Sequence, residues 1–293
     1  MLAAHTLLVF VDGLGLGPPD PAVNPVYGGA CPHLVDLIEN NAQAIDACLG
    51  VNGLPQSATG QTALLTGVNA PQLVGRHIEG FPGAALREVV AARNIFRRLK
   101  NRGLRTTFAN GYFVESVDEV RHARLQSVTT VAALSVFGEV RNRQDIEANR
   151  AVYHDLTRQS LRERGYSGVL LSPAQAAGHL TGLTLEHDLT LFEFFRTDRA
   201  GHRRDSAATR GVLSRLDEFL GVLTDEAAAQ GYLLVITSDH GNVEDNRTRL
   251  HTLNPVPFVA VGAAAGAIRK RVRSLTDVTP ALIEYVSNAT SRS

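Results

Sequence analysis

The sequence contains few cysteines: only Cys31 and Cys48 occur in its 293 residues. Two cysteines cannot form the dense disulfide framework that stabilises small secreted domains. Their separation also excludes a CxxC pair of the kind found in zinc and redox sites. We therefore expect both thiols to be reduced and buried.

The chain also has no excess of charge of either sign, because 29 lysines and arginines balance 29 aspartates and glutamates. A neutral protein has no overall field with which to hold a nucleic-acid backbone or an anionic membrane. We therefore expect neither of these as a partner. Any affinity for phosphate has to come from a local site.

Long hydrophobic runs are missing as well. The run from Leu7 to Val11 has no basic segment before it, and it is too short for a signal peptide or a membrane span. Hydrophobic residues make up 44% of the chain and charged residues 20%, which is typical of a globular domain. The composition is compatible with an α/β enzyme, and we expect a soluble, cytoplasmic protein.

Apolar strands alternate with helical segments at both ends of the chain. This pattern predicts an α/β fold with a mostly parallel sheet and helices on both faces. Strands are predicted at 6–11, 104–109, 189–195, 232–237 and 257–261. Helices are predicted at 33–40, 59–66, 84–101, 206–230 and 279–286.

The middle of the chain has weaker patterning, and it predicts a smaller inserted α+β cap domain at 81–185. Residues 1–80 and 186–293 would then form the core. Within the insert, the sequence predicts a β-prone segment at 127–131, a polar helix at 145–164, a short strand at 168–171 and a helix at 173–179.

Acidic residues follow three of the predicted strands. Asp12 comes directly after the first strand, Asp198 closely follows the strand at 189–195, and Asp239 follows the strand at 232–237. Functional groups in open α/β sheets gather beyond the carboxyl ends of the strands. Carboxylates brought together there would repel one another, and a bound cation would relieve that repulsion.

Histidines supply further ligands near these carboxylates. Asp198 and His202 are four residues apart and would share one face of a helical turn. His240 is adjacent to Asp239, and His251 lies in a loop before 255–257. An aspartate after a strand, taken alone, is more typical of a turn, and an Asp–His pair four residues apart is more typical of a solvent-exposed helix face. Together, three aspartates and three histidines favour two ions of the zinc or manganese kind.

Ser57 precedes a helix-like apolar stretch, so we expect it at or near a helix N-terminus. Free backbone N–H groups at such a position favour a phosphate. The alternative is that Ser57 simply caps the helix, and the helix start alone favours this alternative.

Four separated signatures in the chain resemble the alkaline phosphatase superfamily of metalloenzymes. The likeness is closest to the cofactor-independent phosphoglycerate mutase and phosphopentomutase branch, and it covers residues 5–77 and 188–286. The signatures are a strand followed by Asp12-Gly13, Ser57 with Thr66-Gly67 after it, residues 197–202, and residues 237–244 with 251–257.

This resemblance implies an alkaline phosphatase-like core with two divalent metal ions, zinc or manganese, with magnesium as an alternative. It also implies that Ser57 is the nucleophile and forms a phosphoserine intermediate. One metal site would use Asp198, His202 and His251. The other would use Asp12, Asp239, His240 and the Ser57 oxygen.

We expect a phosphatase that acts on a small phosphorylated metabolite. A phosphomutase of the phosphoglycerate mutase type and a phosphodiesterase are the alternatives, since they share this core. The short insert lacks the basic ligands of the mutases, which argues against a mutase. Arg76 and His77, just after the Ser57 helix, are candidate substrate contacts.

Overall fold

The structure, a computed structural model, describes residues 5–290 of the chain. Six strands form one sheet in the order β2-β6-β5-β1-β4-β3. They are β1 (Thr6–Val11), β2 (Ala42–Ile45), β3 (Thr106–Phe108), β4 (Leu189–Phe194), β5 (Leu233–Thr237) and β6 (Val256–Val261). β1 pairs in parallel with β4 and β5, β3 pairs in parallel with β4, and β6 runs antiparallel to β5 and β2.

Helices cover both faces of this sheet. They are α1 (Pro32–Asn41), α2 (Ser57–Thr66), α3 (Ala70–Val74), α4 (Ala84–Arg93), α5 (Ile95–Lys100), α6 (Val117–Arg121), α7 (Val128–Phe137), α8 (Arg143–Glu147), α9 (Pro173–Leu185), α10 (Arg196–Arg203), α11 (Ser206–Gln230), α12 (Ala265–Arg269) and α13 (Leu275–Thr290). Short 3₁₀ turns lie at Pro25–Tyr27 and Gln159–Arg164. Of the helices in residues 5–290, none is long and apolar enough to cross a membrane.

The side chains of β1 alternate between two hydrophobic cores. Leu8 and Phe10 pack with α2, α4, α5, α7 and α13, whereas Leu7, Val9 and Val11 pack with α1, α9 and α11. Because both faces of the strand are covered, its sequence is continuously apolar rather than alternating. The predicted α/β fold with a mostly parallel sheet is confirmed.

Several predicted elements differ from the structure. The helix predicted at 84–101 is interrupted at Asn94, whose extended backbone ends α4 and whose side chain caps α5. The β-prone segment 127–131 instead begins α7, where Ser127 caps the helix. Burial of α7 outweighs the strand preference of its valines and threonines. β2, a short antiparallel edge strand, was not predicted.

The prediction of a polar helix at 145–164 is also wrong. α8 ends at Glu147, and Asn149, Leu156 and Arg158 all have positive φ, which breaks a right-handed helix. Residues 168–171 form no strand either. Of the two thiols, Cys31 is buried as expected, whereas Cys48 is partly exposed.

The segment predicted as an insert, 81–185, packs in two different ways. β3 belongs to the central sheet, and α4, α5, α7 and α9 pack within its two cores. A separate small cluster surrounds Ile146, Tyr153, Leu161 and Tyr166, with Phe113 against it. The packing therefore favours a lobe, at about 141–172, that is smaller than the predicted domain. We refer to residues 141–172 as the lobe.

Candidate metal centre

The parallel strands β1, β4 and β5 end at nearly the same level of the sheet. Val11 pairs with Phe194, and Phe10 pairs with Thr237. Asp12 follows β1 directly, Asp198 lies in the first turn of α10 just after β4, and Asp239 follows β5. The fold thus carries three carboxylates to one edge of the sheet, where the sequence predicted them.

One group of ligand atoms gathers around Asp198. Its Oδ1 atom lies 3.3 Å from His202 Nε2 and 3.4 Å from His251 Nε2. The two Nε2 atoms are 3.2 Å apart. The four-residue spacing of Asp198 and His202 places both side chains on one face of α10, and the loop after β5 contributes His251.

A second group surrounds His240. Its Nε2 atom lies 3.2 Å from Asp12 Oδ1, 3.5 Å from Asp239 Oδ2 and 3.0 Å from the Ser57 hydroxyl. The His240 and His251 rings stack at 3.7 Å, so the two groups adjoin. Donor atoms of Asp198, His240 and His251 also lie within 4.8 Å of one another.

Backbone carbonyls orient two of the imidazoles. His202 Nδ1 lies 2.7 Å from the Arg249 carbonyl oxygen, and His251 Nδ1 lies 2.8 Å from that of Pro55. Because a carbonyl oxygen only accepts, each Nδ1 carries the proton and donates it. In the neutral ring, Nε2 then has a free lone pair that faces the carboxylates, which is the arrangement of metal-binding histidines.

The carboxylates themselves favour a cation. Asp12 Oδ1 and Asp239 Oδ2 are buried and accept no hydrogen bond. Burial raises the pKa of the Asp12 carboxyl well above its usual value, and repulsion from Asp239 and Asp198 raises this pKa further. Burial likewise raises the pKa of Asp239. A divalent ion would satisfy these oxygens and cancel their repulsion, so the residues present fit a metal centre.

Asp198 behaves differently from these two. Burial opposes its ionisation. When the His202 and His251 rings are protonated and no ion is bound, their Nε2–H groups donate hydrogen bonds to Asp198, which outweigh the burial and lower the pKa of this carboxyl. The same hydrogen bond to Asp198 raises the pKa of the His202 imidazole. The oxygen and nitrogen donors, with no thiolate among them, suit zinc or manganese.

Ser57 is the first residue of α2, and Gln56 is the N-cap. The alternative in which Ser57 caps the helix is therefore wrong, because its hydroxyl is directed to His240. Gly60 allows this approach of α2. A Cβ atom at position 60 would lie 2.7 Å from the Asp239 carbonyl oxygen, so a larger residue would push α2 away.

Glu244 holds two loops of the site together, although its side chain has no place among the predicted ligands. Its fully buried carboxylate accepts backbone N–H groups of Gly15 at 3.0 Å and Asn242 at 2.7 Å. Thr252 and Asn254 donate to its other oxygen. The chain segments that carry Asp12, His240 and His251 are thereby tied to one side chain.

A cavity of about 530 Å³ opens above Ser57, between the sheet edge and the lobe. Arg76 and His77 are absent from its lining residues, and the His77 ring instead bonds the Val51 carbonyl oxygen. Arg164 and Arg199, which the sequence did not single out, do line the cavity.

Glu193 also lines this cavity and was missed by the sequence analysis. It is buried, accepts a hydrogen bond from the Thr129 hydroxyl, and has a pKa raised to about 7 by burial. A charged residue within the apolar strand β4 was the signal that could have identified it.

The model of the Metalloenzyme superfamily matches residues 4–289. A 2,3-bisphosphoglycerate-independent phosphoglycerate mutase from Thermosynechococcus vestitus is 34% identical over 115 residues. That match covers 34% of this chain but only 22% of the mutase.

Solved structures share the fold at low sequence identity. The PH0037 protein from Pyrococcus horikoshii is 16% identical with a TM-score of 0.59, over 99% of this chain and 98% of that one. Alkaline phosphatase from the Antarctic bacterium TAB5 is 13% identical with a TM-score of 0.54, over 97% and 98% of the two chains. These similarities show an alkaline phosphatase-like fold.

Glu244→Gln should destabilise the protein by about 2 kcal/mol or more. The NH₂ group of glutamine would replace one carboxylate oxygen, and the two hydrogen-bond donors that face this oxygen would lose their acceptor. Urea unfolding measures this change. Glu88→Gln, on the exposed side of α4, is the matched control and should be neutral. Equal stability of the two variants would contradict the role given to Glu244.

Proposed function

Since the chain belongs to the Metalloenzyme superfamily, we propose that it is a metal-dependent phosphatase that hydrolyses small phosphomonoesters through a phosphoserine on Ser57. The observation that supports this most directly is the position of the Ser57 hydroxyl. It lies at the start of α2, 3.0 Å from His240, beside two groups of ligand atoms and at the floor of an open cavity.

We assign one ion to Asp198, His202 and His251. The second ion would be held by Asp12, Asp239 and His240 with the Ser57 oxygen. When bound, divalent zinc or manganese would lower the pKa of a coordinated hydroxyl and neutralise charge on a transferred phosphoryl group. Magnesium is the alternative for these oxygen-rich ligands.

The Ser57 oxygen attacks phosphorus in line with the ester oxygen. A bond from Ser57 Oγ to phosphorus forms as the hydroxyl gives up its proton, the bond from phosphorus to the ester oxygen breaks, and the leaving alcohol takes up a proton in its place. Water then attacks the phosphoserine, which releases inorganic phosphate and restores the hydroxyl. The α2 N-terminus favours negative charge on the Ser57 oxygen during both steps.

A phosphomutase is the second candidate, because the matched curated relatives carry that name. A mutase would return the phosphoryl group from Ser57 to a different hydroxyl of the same molecule. Measuring inorganic phosphate against isomerised phosphoester separates the two reactions. Release of phosphate at the rate of substrate loss supports the phosphatase, whereas isomerisation without phosphate release supports the mutase.

Ser57→Ala should lower turnover of phosphomonoesters by about 10³-fold or more, because the variant has no nucleophilic oxygen. Its folding should be unaffected, since Ser57 does not cap α2. Steady-state kinetics and a melting curve measure both. Thr59→Ala, on the same helix, is the control. If Thr59→Ala lost turnover and Ser57→Ala did not, Ser57 would not be the nucleophile.

Removal of divalent ions with a chelator should abolish turnover and lower the melting temperature by roughly 5 °C or more, because the ions bind only the folded protein. Zinc or manganese should restore both. Asp239→Asn should weaken metal affinity in calorimetry, whereas Asp118→Asn, at an exposed site on α6, should not. Unchanged melting and metal affinity in the Asp239 variant would contradict the assignment.

A further inference from the structure

The cavity above Ser57 is lined by an unusual number of aromatic rings. The whole chain contains 11 phenylalanines and 6 tyrosines. Six of these side chains line this one cavity: Phe81, Phe108, Tyr112, Phe113, Tyr153 and Phe195. Phosphoester recognition alone does not require such a wall, because the phosphoryl group is bound at the metal centre. The rings that reach the cavity surface are therefore available to the rest of a substrate.

Three of the rings at this wall pack in series, each tilted by 39° against its neighbour. The His154 imidazole lies 4.6 Å from the Phe195 ring and 4.1 Å from the Tyr153 ring. Burial lowers the pKa of His154 to about 4, so the imidazole is neutral near pH 7 and contributes a flat, uncharged face. Phe195 immediately follows β4, which connects this stack to the strand that leads to Asp198.

Phe113 is held in place from the lobe side. The guanidinium groups of Arg143 and Arg164 each lie 5.1 Å from its ring centre, and Tyr166 packs edge-on at 6.0 Å. Arg164 also donates a hydrogen bond to the Phe113 carbonyl oxygen. These neighbours fix the orientation of a half-buried ring, so the part of Phe113 that lines the cavity is preformed, which reduces the entropy cost of packing a ligand against it.

Cationic side chains are few at this wall. Arg164 and Arg199 are the two cationic side chains among its lining residues, and both are exposed. The cavity volume of about 530 Å³ is within the range of pockets that enclose ligands larger than a three-carbon acid. The lining therefore favours a substrate with an extended, flat apolar part.

We propose that this protein prefers phosphomonoesters whose alcohol carries a planar aromatic ring, and that the ring stacks against the Phe113, Tyr153 and Phe195 wall while the phosphoryl group lies at Ser57. This inference rests on the phosphatase activity proposed above. The shared chemistry is a flat π-face, which either a nucleobase or a simple aryl group can supply.

Two matched substrate pairs test the preference with manganese-loaded protein. Adenosine 5′-monophosphate and ribose 5-phosphate have the same primary ester and differ in the base. Benzyl phosphate and cyclohexylmethyl phosphate have similar size and differ in flatness. We expect kcat/KM to be at least 10-fold higher for the aromatic member. A difference in the first pair alone identifies a nucleobase, and a difference in both identifies aromatic rings generally.

Phe113→Leu should reduce that preference at least 5-fold, chiefly through a higher KM for the aromatic ester, because leucine keeps an apolar contact but has no flat face. Phe137→Leu removes a ring of similar burial that contacts Phe96 and lies outside the cavity, so it should retain the preference. Equal effects of the two variants, or equal kcat/KM within both pairs of substrates, would overturn the aromatic preference and leave the phosphatase proposal intact.

If no ester were turned over, that result would count against the proposed phosphatase activity. The affinity of the protein for the esters would then test the aromatic preference separately. Calorimetry with Ser57→Ala protein should show at least 10-fold tighter binding of adenosine 5′-monophosphate than of ribose 5-phosphate, or of benzyl phosphate than of cyclohexylmethyl phosphate. Equal affinities within both pairs would overturn the inference without reference to catalysis.

Discussion

Electrostatic repulsion among buried carboxylates is the constraint on which the rest of this site depends. Asp239 is fully buried, Asp12 is nearly so, and the Asp198 side chain is only 15% exposed. Water cannot screen the repulsion of groups this close, which is why burial and mutual repulsion raise the pKa of Asp12. Bound divalent ions would cancel this repulsion, and the folding free energy would thereby be linked to ion binding.

The loops around the carboxylates are built to keep that arrangement in place. Glu244 accepts hydrogen bonds from the segments after β1 and β5 and from the loop that carries His251. Gly13 has a φ of +73° directly after Asp12, and a side chain there would meet Asp198. The strands set the level of the site, while these tight contacts set the distances between individual ligand atoms.

The lobe has a different role from the sheet. The fold alone does not decide which reaction takes place, since proteins that resemble this chain in sequence or fold include ones called mutases and phosphatases. Residues of the lobe and of the segment after β4 line the cavity beside Ser57. In the proposed phosphatase, the substrate would thus be selected by a part of the chain with weak sequence patterning, packed largely around its own small cluster.

The sequence by itself determined the α/β class, the strands β1, β4 and β5, the long helix α11, and the residue types that meet at the sheet edge. These follow from local apolar runs and from the rule that parallel strands end together. Only the tertiary structure decided that 127–131 is helical, that β3 joins the central sheet, and that Glu193 and Arg164, rather than Arg76 and His77, line the cavity. The physical reason is that burial against distant segments can outweigh local preference, and that distances between side chains on different loops are not encoded in the spacing of residues along the chain.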